Sequence, residues 1–237
     1  MTDSARLARS ALLAGLAFAA IAIGFPLFAE WVIARFGVRV LAGTMLAVSA
    51  ISLRGVTAAV PRELAFQPLD TAVLLALAAL SLATGERVFL LLLPAWLYAA
   101  LARIFARSLR DGGSLIERFV RVMQPYAPDF VRPYCRRVTV LWAALFALNA
   151  VAVAALALFA PLAWWHAYTG WITWAAFAVI TGVEFVVRKA HFRIYDGGPI
   201  DSFFERLFPA ERTEMGRRAS AYKIQMRRSL GMPERRH

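Results

Sequence analysis

Apolar residues recur along this chain in six blocks separated by polar gaps. The blocks run from about Ala11 to Ala29, Val38 to Leu53, Leu69 to Thr84, Val88 to Ala102, Val138 to Ala163 and Trp171 to Val187. A transmembrane helix needs roughly 20 predominantly apolar residues. The first and fifth blocks are comfortably long, whereas the second, third and fourth lie near or below the minimum. The pattern predicts an all-α, polytopic transmembrane helical bundle of about six spans. Tilted helices with polar ends and a hairpin that crosses incompletely both suit the third and fourth blocks, and either choice leaves the orientation of the rest unchanged.

The gaps carry recognisable helix punctuation. Asp70 stands where it can cap the third block, and Gly85-Glu86-Arg87 reads as a tight turn into the fourth. Arg6 and Arg9 precede the first block in the manner of a signal peptide, but Leu27-Phe28-Ala29 lacks the small residue expected three before a cleavage point, so a retained first span is expected. Trp164, Trp165, Tyr168 and Trp171 gather where the fifth block gives way to the sixth, as an interfacial aromatic belt around an outer turn would.

The longest polar insertion is Arg103 to Arg137. Within it Ser114 and Glu117 have capping-box spacing. Leu115, Ile116, Phe119, Val120 and Met123 repeat at helical spacing, with Glu117, Arg118 and Arg121 expected to face away. This predicts a short amphipathic helix, ended by Pro125 and Pro128, that either lies on the inner leaflet or packs against the bundle. After residue 189 the chain turns polar. Asp201 to Phe208 suits a second surface helix stopped at Pro209, and a mobile basic tail is expected beyond it. The division expected is thus a transmembrane domain over 1–189, with its insertion at 103–137, and a partly disordered cytoplasmic tail over 190–237.

Composition agrees with this class: 60% of residues are hydrophobic, and the net charge is +12. Of the 27 Lys and Arg residues, 24 fall in every second gap, and only Arg35, Arg39 and Arg87 lie in the others. Short loops rich in Lys and Arg stay cytoplasmic, so both termini are expected inside a bacterial inner membrane. Twenty of the 24 lie in the 103–137 insertion and after Val187, more than orientation requires. Because the charges flank apolar stretches and no reading module accompanies them, anionic lipid headgroups are the expected counter-charge and nucleic acid is not an expected partner.

Little in the sequence points to catalysis. Cys135 is the single cysteine, which excludes an intramolecular disulfide and a thiolate metal cluster. No phosphate-binding glycine loop, metal-ligand spacing or nucleophile elbow is present, so no catalytic residue, metal or cofactor is assigned. Glu184 is an acidic residue inside the sixth block, where a carboxylate is costly and suggests proton or headgroup handling. Arg188, four residues on, offers it a local ion pair in the favourable order. Asn149, midway along the fifth block, suits interhelical hydrogen bonding or ligand contact. His191 and Asp196 have a spacing used by some glycerolipid acyltransferases, without the flanking signature. Arg107, Arg110, Arg118, Arg121, Arg132, Arg136 and Arg137 suit either headgroups or an acidic docking partner, because the guanidinium fork matches carboxylate and phosphate alike.

Several stretches carry a family resemblance. FARSL at Phe105–Leu109, LIERFVRV at Leu115–Val122, VRPYCRRVTVLWAALFALNA at Val131–Ala150, and Gly182-Val183-Glu184 ahead of Arg188-Lys189 resemble a family of uncharacterised small bacterial inner-membrane proteins. FPLFAEWVIARFG, from Phe25 to Gly37, is similar to that family's first span and outer turn. Its members occur beside fatty-acid-like and polyketide-like enzymes, notably in aryl-polyene-type pathways. The chain departs from the pattern at Cys135, where a Thr-like residue is expected, and in the basic tail after Pro209. The resemblance implies a setting but no reaction. That setting and the basic face suit an accessory protein that docks lipid-assembly enzymes or their acyl carrier protein; Glu184 and Asn149 suit a lipid or polyene-lipid transporter as the alternative, and His191 a membrane acyltransferase as a third.

Overall fold

The computed structural model describes residues 31–33, 35–55, 68–110, 112–123, 128–193, 195 and 199–229. The expected first span lies outside them. Every regular element among the described residues is helical. Three helices are long and apolar enough to cross a membrane: Val88–Ser108, Asp129–Phe159 and Leu162–Phe192. Pro68–Thr84 is apolar but shorter. The all-helical expectation holds for the described residues, with three helices of spanning length against the about six spans expected.

The chain forms two compact units, one of residues 1–112 and 137–174 and the other of residues 113–136 and 175–237. The first contains α1 (Val38–Gly55), α2 (Pro68–Thr84), α3 (Val88–Leu91) and α4 (Leu93–Ser108). It also holds all but the first turn of α6 (Arg132–Phe159), then α7 (Leu162–Ala167) and a π-helical turn at Tyr168–Ile172. α2 and α3 meet at a turn that needs Gly85, whose φ of +77° is left-handed. The turn is fastened by the Gly85 N–H on the Ser81 carbonyl (2.9 Å) and by the Ser81 hydroxyl on the Glu86 carbonyl (2.9 Å). The Arg39 guanidinium lies against Gly85. Pro94 lacks the N–H that would continue the ladder, and the break between α3 and α4 falls at Leu92, two residues before it.

Several helix limits differ from the apolar blocks: the helix of the fifth block begins at Arg132 instead of Val138, and that of the sixth ends at Phe192 instead of Val187. The fourth block was expected to stop at Ala102, yet α4 continues to Ser108, because Arg103 and Arg107 are good helix formers whose charge alone does not end a helix. The outer turn was expected among the tryptophans, yet it is confined to Ala160 and Pro161. Pro161 has extended backbone (ψ 143°) and starts α7, so Trp164, Trp165, Tyr168 and Trp171 are all helical.

The second unit contains α5 (Leu115–Met123), the first turn of α6, most of α8 (Thr173–Phe192), α9 (Pro199–Leu207) and α10 (Glu214–Ser229). Its core is Val131, Cys135 and Phe192, with Ile116, Val120, Phe130, Tyr134 and Met215 packed around them. Ile116 and Val120 of α5 therefore turn into this core, whereas Phe119 is exposed. A mobile tail was expected beyond Pro209, whereas residues 210–229 form a 3₁₀ turn and the 16-residue helix α10. Met215 joins the core, and Tyr222 meets Phe130 edge to face at 6.4 Å. Gly216 lets α10 pack closely on the preceding 3₁₀ turn, since a Cβ there would overlap the Ala210 carbonyl. The insertion and the chain after residue 189, expected to belong to different domains, both contribute to this core through Val131, Cys135, Phe192 and Met215.

Candidate functional site

Buried polar groups cost several kcal/mol each in an apolar setting unless they are paired, so the described carboxylates and amides reveal where this sequence spends polarity. In the second unit the centre is Glu117. Its side chain is 8% exposed and accepts from Arg121 Nε at 3.1 Å and Arg132 Nε at 3.0 Å. Both arginines remain about half exposed. Arg121 also reaches Asp129 through Nη2 at 2.8 Å. Hydrogen bonds to Asp129 and Glu117 raise the Arg121 pKa above its ordinary value.

This geometry corrects the expectation that Glu117 faces away from the core. Its backbone N–H approaches the Ser114 hydroxyl at 3.4 Å, a loose version of the predicted cap, while its carboxylate is buried against the arginines. Two side chains assigned from sequence to partner binding, Arg121 and Arg132, thus share one buried anion. Arg118 is half-buried and Arg136 exposed in the same unit; in the other unit Arg107 and Arg137 are exposed.

Glu184 makes the expected pair with Arg188, whose Nε lies 3.4 Å from Oε1. The sequence did not show its second partner, the Tyr134 hydroxyl at 3.2 Å. His191 stacks on the Tyr134 ring with centroids 6.1 Å apart and meets Phe192 edge-on. Asp196, its proposed catalytic companion, lies outside the described residues.

Asn149, in the first unit, is buried and hydrogen-bonded through both amide atoms. Its amide nitrogen donates to the Leu145 carbonyl (2.9 Å), and its oxygen accepts from the Tyr168 hydroxyl (3.1 Å) and the Thr173 hydroxyl (3.5 Å). Nearby, Thr169 donates to the Trp165 carbonyl, and the Trp165 indole donates to the Leu91 carbonyl at 3.2 Å. The π turn brings Tyr168, Thr169 and Thr173 into this network, and such turns are frequent at functional sites.

The Asp70–Arg103 pair is among those the sequence reading missed. Asp70, expected to cap α2, lies inside its first turn, is 3% exposed and pairs with Arg103 of α4. The Arg103 guanidinium also lies 4.8 Å from the centre of the Trp96 ring. A signal was available. Asp70 stands 16 residues before Glu86 and Arg103 stands 17 after it, so a hairpin centred on the Gly85 turn brings them level. The same symmetry relates Asn149 and Thr173, each 12 residues from Pro161.

Among the described residues, no three His, Cys, Asp or Glu side chains group closely enough to hold a metal ion. No family model, no curated protein and no solved structure matches this chain. The family resemblance carried by its arginine motifs therefore remains a sequence-level argument.

Proposed function

We propose that this chain is an integral inner-membrane accessory protein, with both termini cytoplasmic, that holds acyl- or polyene-assembly enzymes, or their acyl carrier protein, at the membrane. The observation that carries this reading is the second unit. Sixteen of the 27 basic residues belong to it. They are drawn from two segments far apart in the chain, yet both segments contribute to one core. A charge surplus meant only for orientation needs no folded scaffold. One that recognises a partner gains from fixed guanidinium positions, because ordering them in advance lowers the cost of binding.

Arg121 and Arg132 hold the scaffold through Glu117; Arg136 of the same unit is exposed and is the residue offered for contact, with Arg137, the next residue in sequence, removed alongside it in the test. An acidic carrier helix has the charge to meet them, and electrostatic complementarity of this kind acts mainly on encounter rate and specificity. The test is co-purification of an acyl carrier protein with the full chain. Arg136→Ala combined with Arg137→Ala is expected to abolish it while membrane insertion persists; undiminished capture would refute the reading. Arg132→Ala is a poorer choice, since it also strips a partner from a buried carboxylate.

The π turn and its buried Asn149 network favour one second reading, a lipid or polyene-lipid transporter. Under it, Glu184→Gln or Asn149→Leu should stop product export while synthesis continues.

A further inference from the structure

We propose that the Phe203–Leu207 face of α9 inserts into the headgroup layer of an anionic bilayer, beside the point where the Leu162–Phe192 helix leaves it. The proposal rests on the reading that Leu162–Phe192 crosses a bilayer.

The short helix α9 has four distinct sides. At roughly 100° per residue, Phe203 and Leu207 share one side, and they are 63% and 56% exposed. Phe204 points into the unit, buried against Phe185 with ring centroids 5.7 Å apart. Glu205 lies opposite the Phe203–Leu207 side and is exposed, while Arg206 flanks that side and is exposed too. Two large apolar side chains at i and i+4, with a basic flank and an acidic back, form the pattern of a helix lying in a membrane interface.

Position along the chain selects lipid as the occupant. The 31-residue Leu162–Phe192 helix is about 46 Å long, against a hydrocarbon core of about 30 Å and a whole bilayer of about 40–45 Å. Its last turns therefore reach headgroup level. α9 begins seven residues after Phe192, and its first turn is fastened to the end of α8 by Lys189 Nζ on Asp201 Oδ1 at 2.6 Å. That ion pair is largely shielded, with both side chains about 15% exposed. Around the junction Lys189 lies over the Phe185 and Tyr195 rings, and Arg193 lies over Phe208. Aromatic and basic side chains are what the headgroup layer accommodates. The charge is complementary as well: the unit carries sixteen basic residues against nine acidic ones, and each basic residue near an anionic surface adds about 1 kcal/mol of attraction.

The test uses the full chain reconstituted in vesicles of phosphatidylcholine and phosphatidylglycerol, with a polarity-sensitive fluorophore on single introduced cysteines. The parent, whose Cys135 is buried, serves as the blank. Phe203→Cys is expected to be strongly quenched by a nitroxide carried near the headgroup and weakly by one at the chain end, whereas Glu205→Cys is quenched by neither. Val179→Cys, on an exposed mid-helix position, should show the reverse depth preference. A Val179 probe quenched by the chain-end nitroxide beside an unquenched Phe203 probe would overturn the proposal alone. An unquenched Val179 probe would remove the span reading and the proposal with it. A Phe203 probe that is blue-shifted but unquenched would assign the face to protein and also overturn the lipid assignment.

Discussion

Among the described residues two buried carboxylates hold arginines, and they do so in different ways. Asp70 takes Arg103 across the α2–α4 pair, and the guanidinium closes onto the Trp96 ring. Glu117 takes two arginines at once, and both remain about half exposed. The first arrangement turns a charge inward and joins apolar helices, as polar contacts between membrane helices do. The second uses one buried anion to fix two cations at a surface. Exposure separates the two only modestly, since Arg103 is 34% exposed against 42% for Arg121 and 51% for Arg132, and the number of guanidinium groups on each carboxylate separates them better.

The largest effect should come from breaking the inward pair. Asp70→Ala leaves Arg103 without its buried partner and should cost about 3 kcal/mol, the range for removing one member of a buried pair. Thermal unfolding in detergent would show it. Replacing both residues, Asp70→Leu with Arg103→Met, should recover most of the loss, because well-packed apolar side chains often substitute for such a pair. A double variant as unstable as the single one would contradict a purely structural role.

The outward node should be more forgiving. Glu117→Gln weakens its hold on Arg121 and Arg132, but both guanidinium groups keep access to solvent, so a loss of about 1–2 kcal/mol is expected. The loss should be local: proteolysis within α5 should accelerate while the Val88–Ser108 helix stays protected. Equal exposure of both regions would erase the distinction between them. Asn149→Leu should cost about 1 kcal/mol, the scale of interhelical hydrogen bonds in membrane proteins, measured again by unfolding.

The smallest effect sharpens the picture of the second unit. The Tyr195 hydroxyl donates to the carbonyls of Phe204 (3.2 Å) and Phe208 (2.7 Å), closing the end of α9. Burial raises its pKa above the ordinary value. The folded value therefore exceeds the unfolded one, so its contribution is intact below about pH 10 and fades as pH climbs through the raised value. Protease resistance of α9 should decline over that window in the parent and show a smaller decline in Tyr195→Phe.

The sequence made the helices legible because membrane crossing demands long apolar runs, and it made the Glu184–Arg188 pair legible because four residues is one helical turn. It left Asp70–Arg103 and Asn149–Thr173 obscure because those contacts depend on where a turn falls. Placing the second turn among the tryptophans, when Pro161 makes it, shifts every cross-hairpin partner. Glu117 was misassigned for a different reason. Periodicity places a residue on a face of α5, but two arginines approaching from the same unit turned that face into part of an interior. The tail was misjudged on composition, since α10 is polar overall and is held by a few contacts such as Met215 and Tyr222.

The central claim is that exposed arginines on a folded basic scaffold recognise an acidic carrier. Its most direct test is the affinity of purified acyl carrier protein for the detergent-solubilised full chain, titrated at low and high salt. Measurable binding that weakens steeply with salt, is lost in the combined Arg136→Ala and Arg137→Ala variant and survives in Asn149→Leu is the predicted result. Absence of binding by the parent at low salt, or affinity unaffected by removing those two arginines, would contradict the account.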